Sequence, residues 1–192
     1  MEIERRYFEP PELEIRAEGD QSVVAGYASV FDTLSDNLGG FREKIAKGAF
    51  DAVLGDDVRG LFNHEPSAIL GRTKSGTMRL KIDERGLHYE IDLPATTVAN
   101  DLTESMKRGD ITQSSFAFNV DEDKWSEDED GRIIRTITKF KRLFDVSPVT
   151  YPAYPDASVG LRRMGEAHET SGRHTLEMKK RHLRLIEITG GQ

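Results

Sequence analysis

Cysteine is absent from this 192-residue chain, which excludes disulfides, zinc-thiolate centres and thiol nucleophiles. No run approaches the ~20 apolar residues needed to span a bilayer, and the charged opening Met1 to Arg6 has no apolar stretch behind it. The chain is therefore expected to be soluble, unexported and without a membrane partner. Phosphate-cradling glycine patterns are missing, as is the G-x-S-x-G elbow of general esterases. His64-Glu65 lacks the second histidine of a zincin, and the acidic run 121–130 lacks the glycine and ligand spacing of a calcium loop. No metal and no cofactor are expected. A basic surplus is lacking too: the net charge of −7 opposes broad nucleic-acid binding, so a protein partner fits better. The exception is a basic cluster near the end, Lys179-Lys-Arg-His-Leu-Arg184.

The length suits one domain with a substantial core. Residues 1–20 read as a charged lead-in interrupted by Pro10-Pro11, with room for one edge strand, and residues 165–192 lose strand patterning and read as a tail. Between them, Ser22 to Phe31 is rich in β-branched and aromatic residues and is the first core strand. Asp32 to Gly40 is a loop. Phe41, Ile45, Ala49, Phe50 and Val53 then recur at helical spacing. Val58 to Phe62 is a short strand delivering His64, with Pro66 expected to stop regular structure. Thr77–Ile82 and Leu87–Leu93 alternate around turn residues and form a hairpin. Thr97 is expected to cap a helix ending at Gly109. Ile111–Val120 and Arg132–Phe144 are long strands around a solvated acidic tip, and Val146–Tyr151 is a last strand. Seven or eight strands with two helices, mostly in hairpin order, predict a β-rich α+β fold: a compact, mostly antiparallel β-barrel with flanking helices.

A serine hydroxyl is a poor nucleophile at neutral pH and needs an imidazole to take its proton and a third group to hold that imidazole. His64, Ser115 and Asp145 supply one of each, and each sits beside a hydrophobic strand-like run. His64 stands out from His88, which alternates within the hairpin, and from the tail histidines 168, 174 and 182. It also suits the capping of a turn. Strand alternation sends Ser114 and Ser115 to opposite faces, Ser114 with Phe116 and Phe118, Ser115 with Ala117 and Asn119. The small Ala117 favours Ser115, where it would leave room for substrate, although a Ser-Ser pair bonded within a sheet fits the same residues. Asp145, inside an apolar strand, needs a partner. Arg142 or a loop cap would serve it as well as an imidazole would.

These residues fall within a set of ordered motifs: Gly26-Tyr-Ala-Ser-Val-Phe31, Phe41 to Phe50, Asn63-His64, Leu70-Gly-Arg72, Gly86-Leu87, Gly109-Asp-Ile-Thr-Gln-Ser-Ser-Phe-Ala-Phe118, and Asp145-Val-Ser-Pro-Val-Thr-Tyr-Pro-Ala-Tyr-Pro155. Together they resemble the prohead proteases of tailed bacteriophages, serine peptidases distantly similar to the herpesvirus assemblins. The resemblance runs from about Val24 to about Arg162. It implies His64 as general base, Ser115 as nucleophile, and Asp145 at an acidic position where the family often has Glu. Ala117 departs from the glycine more usual there. The resemblance implies an assemblin-like fold, with residues 21–164 as the protease domain. It also implies cleavage of scaffold and of the scaffold-like segment of the major capsid protein inside the prohead, in the bacterial host cytoplasm, with self-cleavage. A homodimer is expected, and the tail is expected to target the protease or be removed by it. The alternative is an inactive scaffolding or capsid-binding module of the same fold.

Overall fold

The computed structural model describes residues 3–7, 13–18 and 21–151. The motif stretch Pro152-Ala-Tyr-Pro155, the tail and its histidines, and Leu176, Leu183 and Ile186, whose positions in the sequence would suit one face of a helix, lie outside the described residues. Among the described residues ten strands and one α-helix follow in order: β1 (Glu4–Arg6), β2 (Leu13–Glu18), β3 (Gln21–Val30), β4 (Phe41–Ile45), β5 (Arg59–Phe62), β6 (Glu65–Arg72), β7 (Met78–Ile82), β8 (Gly86–Asp92), α1 (Thr97–Lys107), β9 (Gln113–Glu127) and β10 (Ile133–Val149). A short 3-10 turn, Thr73–Ser75, links β6 to β7.

The strands form two sheets, not the closed barrel expected; no barrel closes among the described residues. One sheet runs β1-β9-β10-β5-β6, with β4 also on β10, and the other runs β2-β3-β8-β7. Most pairings are antiparallel, as expected. The exceptions are β4 and β5, which lie parallel to successive parts of β10. β10 is thus the axis of the larger sheet, bonded along its length to β9 and on its other side first to β4 and then to β5. The stretches expected as 132–144 and 146–151 are one continuous strand. Its register shifts between Ile137 and Asp145 are where bulges bend the long β9–β10 ribbon.

The core lies between the sheets. Phe116, Phe118, Phe140, Leu143 and Val146 of the larger sheet meet Val24, Leu87, Tyr89 and Ile91 of the smaller, with Leu102 and Met106 of α1. Phe50 and Phe140 stack with centroids 4.4 Å apart, and Phe118 meets Phe140 edge-on at 4.9 Å. The sheets approach closely at Gly60 and Gly71, where an added Cβ would meet the Ile91 side chain at 2.5 or 2.8 Å. Glycine at these two positions permits that approach.

Several local expectations are overturned. The acidic run 121–130 is not all hairpin tip, because β9 continues through it to Glu127 in register with β10. The segment from Phe41 does not form a helix: Phe41, Glu43 and Ile45 alternate inward as β4, and turns follow at 47–55. Pro66 does not end regular structure, because it lies in β6, an edge strand where a missing N–H leaves no ladder bond unmade. The hairpin β7–β8 and helix α1 form where expected, although Thr96, not Thr97, caps the helix by accepting from the Ala99 N–H. The lead-in supplies strands to both sheets, β1 on β9 and β2 on β3.

Candidate active site

Strand alternation and register bring the candidate residues to one face. In the β9–β10 ladder Ser115 lies opposite Ser147, and Ala117 opposite Asp145. These four side chains share the face away from the central core. Ser114 points the other way, as its company with Phe116 and Phe118 predicts. It is buried, and its Oγ lies 2.6 Å from the Tyr89 hydroxyl. Burial pushes the Tyr89 hydroxyl well above its ordinary pKa, a rise that the Ser114 hydrogen bond only partly offsets. Ser114 is thereby engaged inside the core, 25 residues along the chain from its partner.

His64 arrives from the β5–β6 hairpin. Phe62 pairs with Glu65, so Asn63 and His64 form a two-residue loop, and both have positive φ, 53° and 57°. That is the pattern of a type I′ turn, whose twist suits the strands but whose second position favours glycine. A β-carbon is tolerated there because the tip is tied down. The Asn63 N–H donates to the Pro148 carbonyl at 3.0 Å, its side-chain amide donates to Thr150 Oγ1 at 3.1 Å, and its Oδ1 accepts from the Thr150 N–H at 2.8 Å.

The tip so fixed places His64 Nε2 2.8 Å from Ser115 Oγ and His64 Nδ1 2.5 Å from Asp145 Oδ1. The Ser147 hydroxyl donates to the same Asp145 oxygen at 2.8 Å. Asp145 is 7% exposed and Ser115 not at all. Seven consecutive residues of β9, 114–120, are buried, so the outer face is covered as well as the inner. The room expected beside Ala117 is not open in this structure, where Ala117 is only 1% exposed.

Of the alternatives open to these residues, His88 is a cross-strand neighbour of Tyr27, ring edge to ring at 5.1 Å. Arg142 lies over the Phe144 ring and is not the partner of Asp145. The roles of Asn63 and Ser147 escaped the sequence reading, although both residues stand in its motifs. The spacing Asp145-x-Ser147 was the available signal, since strand alternation puts residues two apart on one face. Among the described residues no group of histidines, aspartates or glutamates could hold a metal, and no helix is long and apolar enough to cross a membrane.

A hydroxyl, an imidazole and a carboxylate in this sequence of contacts have the geometry for relaying a proton during acyl transfer, the chemistry of serine hydrolases. The family comparison points to the same class. The model of the caudovirus prohead serine protease family matches residues 11–171, and the chain belongs to that family. The prohead protease of Enterobacteria phage HK97 is 30% identical over 168 residues, covering 85% of this chain and 70% of that protein. Among solved structures, the bacteriophage T4 capsid assembly protease is similar at 10% identity with a TM-score of 0.46, covering 77% of this chain and 96% of that one.

Proposed function

We propose that this phage capsid-maturation protease is a serine endopeptidase with His64, Ser115 and Asp145 as its catalytic residues. The observation that carries this reading is the pair of contacts made by His64, one ring nitrogen on Ser115 Oγ and the other on Asp145. Ser115 Oγ attacks the scissile carbonyl carbon while His64 Nε2 takes the hydroxyl proton. Asp145 accepts the hydrogen bond from the Nδ1–H and stabilises the imidazolium that forms. His64 then gives a proton to the departing amine, leaving Ser115 acylated. A water activated by the same imidazole releases the acyl group and restores the hydroxyl. No metal or cofactor takes part in this scheme.

The substrates we propose are the scaffold and the scaffold-like segment of the major capsid protein, cut inside the prohead in the host cytoplasm. Self-cleavage and action as a homodimer belong to the same reading, as does the distant relation to the herpesvirus assemblins. In it residues 21–164 are the protease domain, and 165–192 a tail that targets the enzyme or is trimmed by it. Family membership and the relative named prohead protease support these proposals.

The test is co-expression with the capsid and scaffold proteins of the same phage, comparing intact masses for wild type, Ser115→Ala and His64→Ala. Loss of a segment from either protein with wild type alone is the expected result. Identical uncleaved masses in assembled proheads from all three would overturn the reading in favour of an inactive scaffolding module.

A further inference from the structure

Asp145 must present one oxygen to His64 Nδ1 in a fixed direction, yet an aspartate in a strand is poorly equipped to do so. Its last torsion joins an sp3 to an sp2 carbon, and that well is broad, so the backbone fixes the stem and leaves the plane of the carboxylate free to turn. A contact with His64 alone would not remove that freedom, because the imidazole must itself be oriented by the carboxylate. A second donor on a rigid element would fix the plane.

Ser147 occupies that place. It lies two residues beyond Asp145 on the same strand and face, opposite Ser115 in the ladder, and has no exposed surface. Its hydroxyl donates to Asp145 Oδ1, the oxygen that His64 also contacts, in a charge-assisted bond of 2.8 Å. Burying a hydroxyl costs free energy that this bond offsets. β10 is paired with β9 at Ser147 and with β5 at the adjacent Asp145 and Val146, so the donor sits on a strand bonded on both sides.

Resting on the proposed catalytic roles, we infer that Ser147 is a positioning residue for the reaction, locking the Asp145 carboxylate so that His64 meets Ser115 in line. Its contribution falls on the proton-transfer steps and not on peptide binding. Ser147→Ala is therefore expected to lower kcat about 10- to 100-fold with KM little changed, the size of effect that a small misplacement of reacting groups produces. Ser147→Thr keeps the hydroxyl and suits a strand, and should recover most of the loss.

The measurement is steady-state cleavage of a fluorogenic peptide copied from the junction that wild type cuts on co-expression. Alongside it, proton NMR would follow the His64 Nδ1–H resonance, which reports its hydrogen bond to Asp145. In Ser147→Ala that resonance should move or broaden, and in Ser147→Thr it should return. Should the alanine variant lose its fold, Ser147→Cys, close in size and a poor donor, is expected to show the same loss. Wild-type kcat and an unmoved resonance in Ser147→Ala would overturn the inference, as would equal losses in the alanine and threonine variants. Ser115→Ala separates the two failures, because cleavage surviving in that variant would overturn the catalytic reading itself.

Discussion

His64 holds a backbone conformation that glycine would adopt more cheaply, with φ 57° at the second position of its turn. The left-handed region costs a residue bearing a β-carbon about 1 kcal/mol or more, so the imidazole is kept there against local preference. Two variants that both delete the ring isolate this term. His64→Gly and His64→Ala should both be inactive, and the glycine variant should be the more stable by about 1 kcal/mol in denaturant titration. The neighbouring serines make a complementary pair. Ser114→Ala leaves the buried Tyr89 hydroxyl without its partner and should cost about 1–3 kcal/mol in stability while leaving cleavage near wild type. Ser115→Ala should do the reverse. At this scale much was legible: alternation alone separated Ser114 from Ser115, and Asn63-His64-Glu-Pro marked a break in the chain. The turn type was not, because a histidine at positive φ has no signature in sequence.

The hairpin β5–β6 that carries His64 is pinned at its base by charge. Arg72 makes a two-pronged bond to Asp57 at 2.5 and 2.7 Å, and Arg59, opposite Arg72 in the ladder, shares the same carboxylate. The Arg72 hydrogen bond leads in drawing the Asp57 carboxyl down from its ordinary 3.8 to about 2. A carboxyl whose pKa is lower folded than unfolded adds stability that is fully present above the unfolded value and lost as pH falls through the folded one. Asp57→Asn should therefore melt below wild type at pH 6, and the gap should close between about pH 4 and pH 2, as thermal denaturation would show. The acidic second half of β9, to Glu127, lacks an apolar period and matched a hairpin tip, whereas elements whose apolar period was uninterrupted, such as β7, β8 and the first half of β9, could be read directly. β4 could not, because the inward position between Phe41 and Ile45 is Glu43, a fully buried carboxylate. With that position polar, the remaining apolar residues matched a helix as well as a strand.

Glu43 belongs to an ion cluster that joins four strands. Arg135 of β10 bonds Glu4 of β1, Glu43 of β4 and Asp123 of β9, and Arg6 of β1 bonds both glutamates. Burial alone would make Arg135 easier to deprotonate, but the bonds and charges of Glu4, Glu43 and Asp123 outweigh it and raise its pKa. Removing one member strands the others in a dry interior. Arg135→Met should cost about 3–5 kcal/mol in chemical denaturation, with unfolding still a single transition. No composition or motif argument could have disclosed this cluster, since its Glu4 and Arg135 are 131 residues apart and look like ordinary surface charges in a chain rich in them.

The parallel seating of β5 and β4 against β10 bears on the order of events during synthesis. His64 and Asp145 are separated by 81 residues, and the strands that bring them together pair without any local turn to guide them. Such non-local contacts require large loop closures and form slowly. Nor can a chain still on the ribosome make them before β10 has emerged. The contacts of His64 with Ser115 and Asp145 therefore form only when the larger sheet is complete, and a nascent or half-folded copy lacks the proposed proton relay.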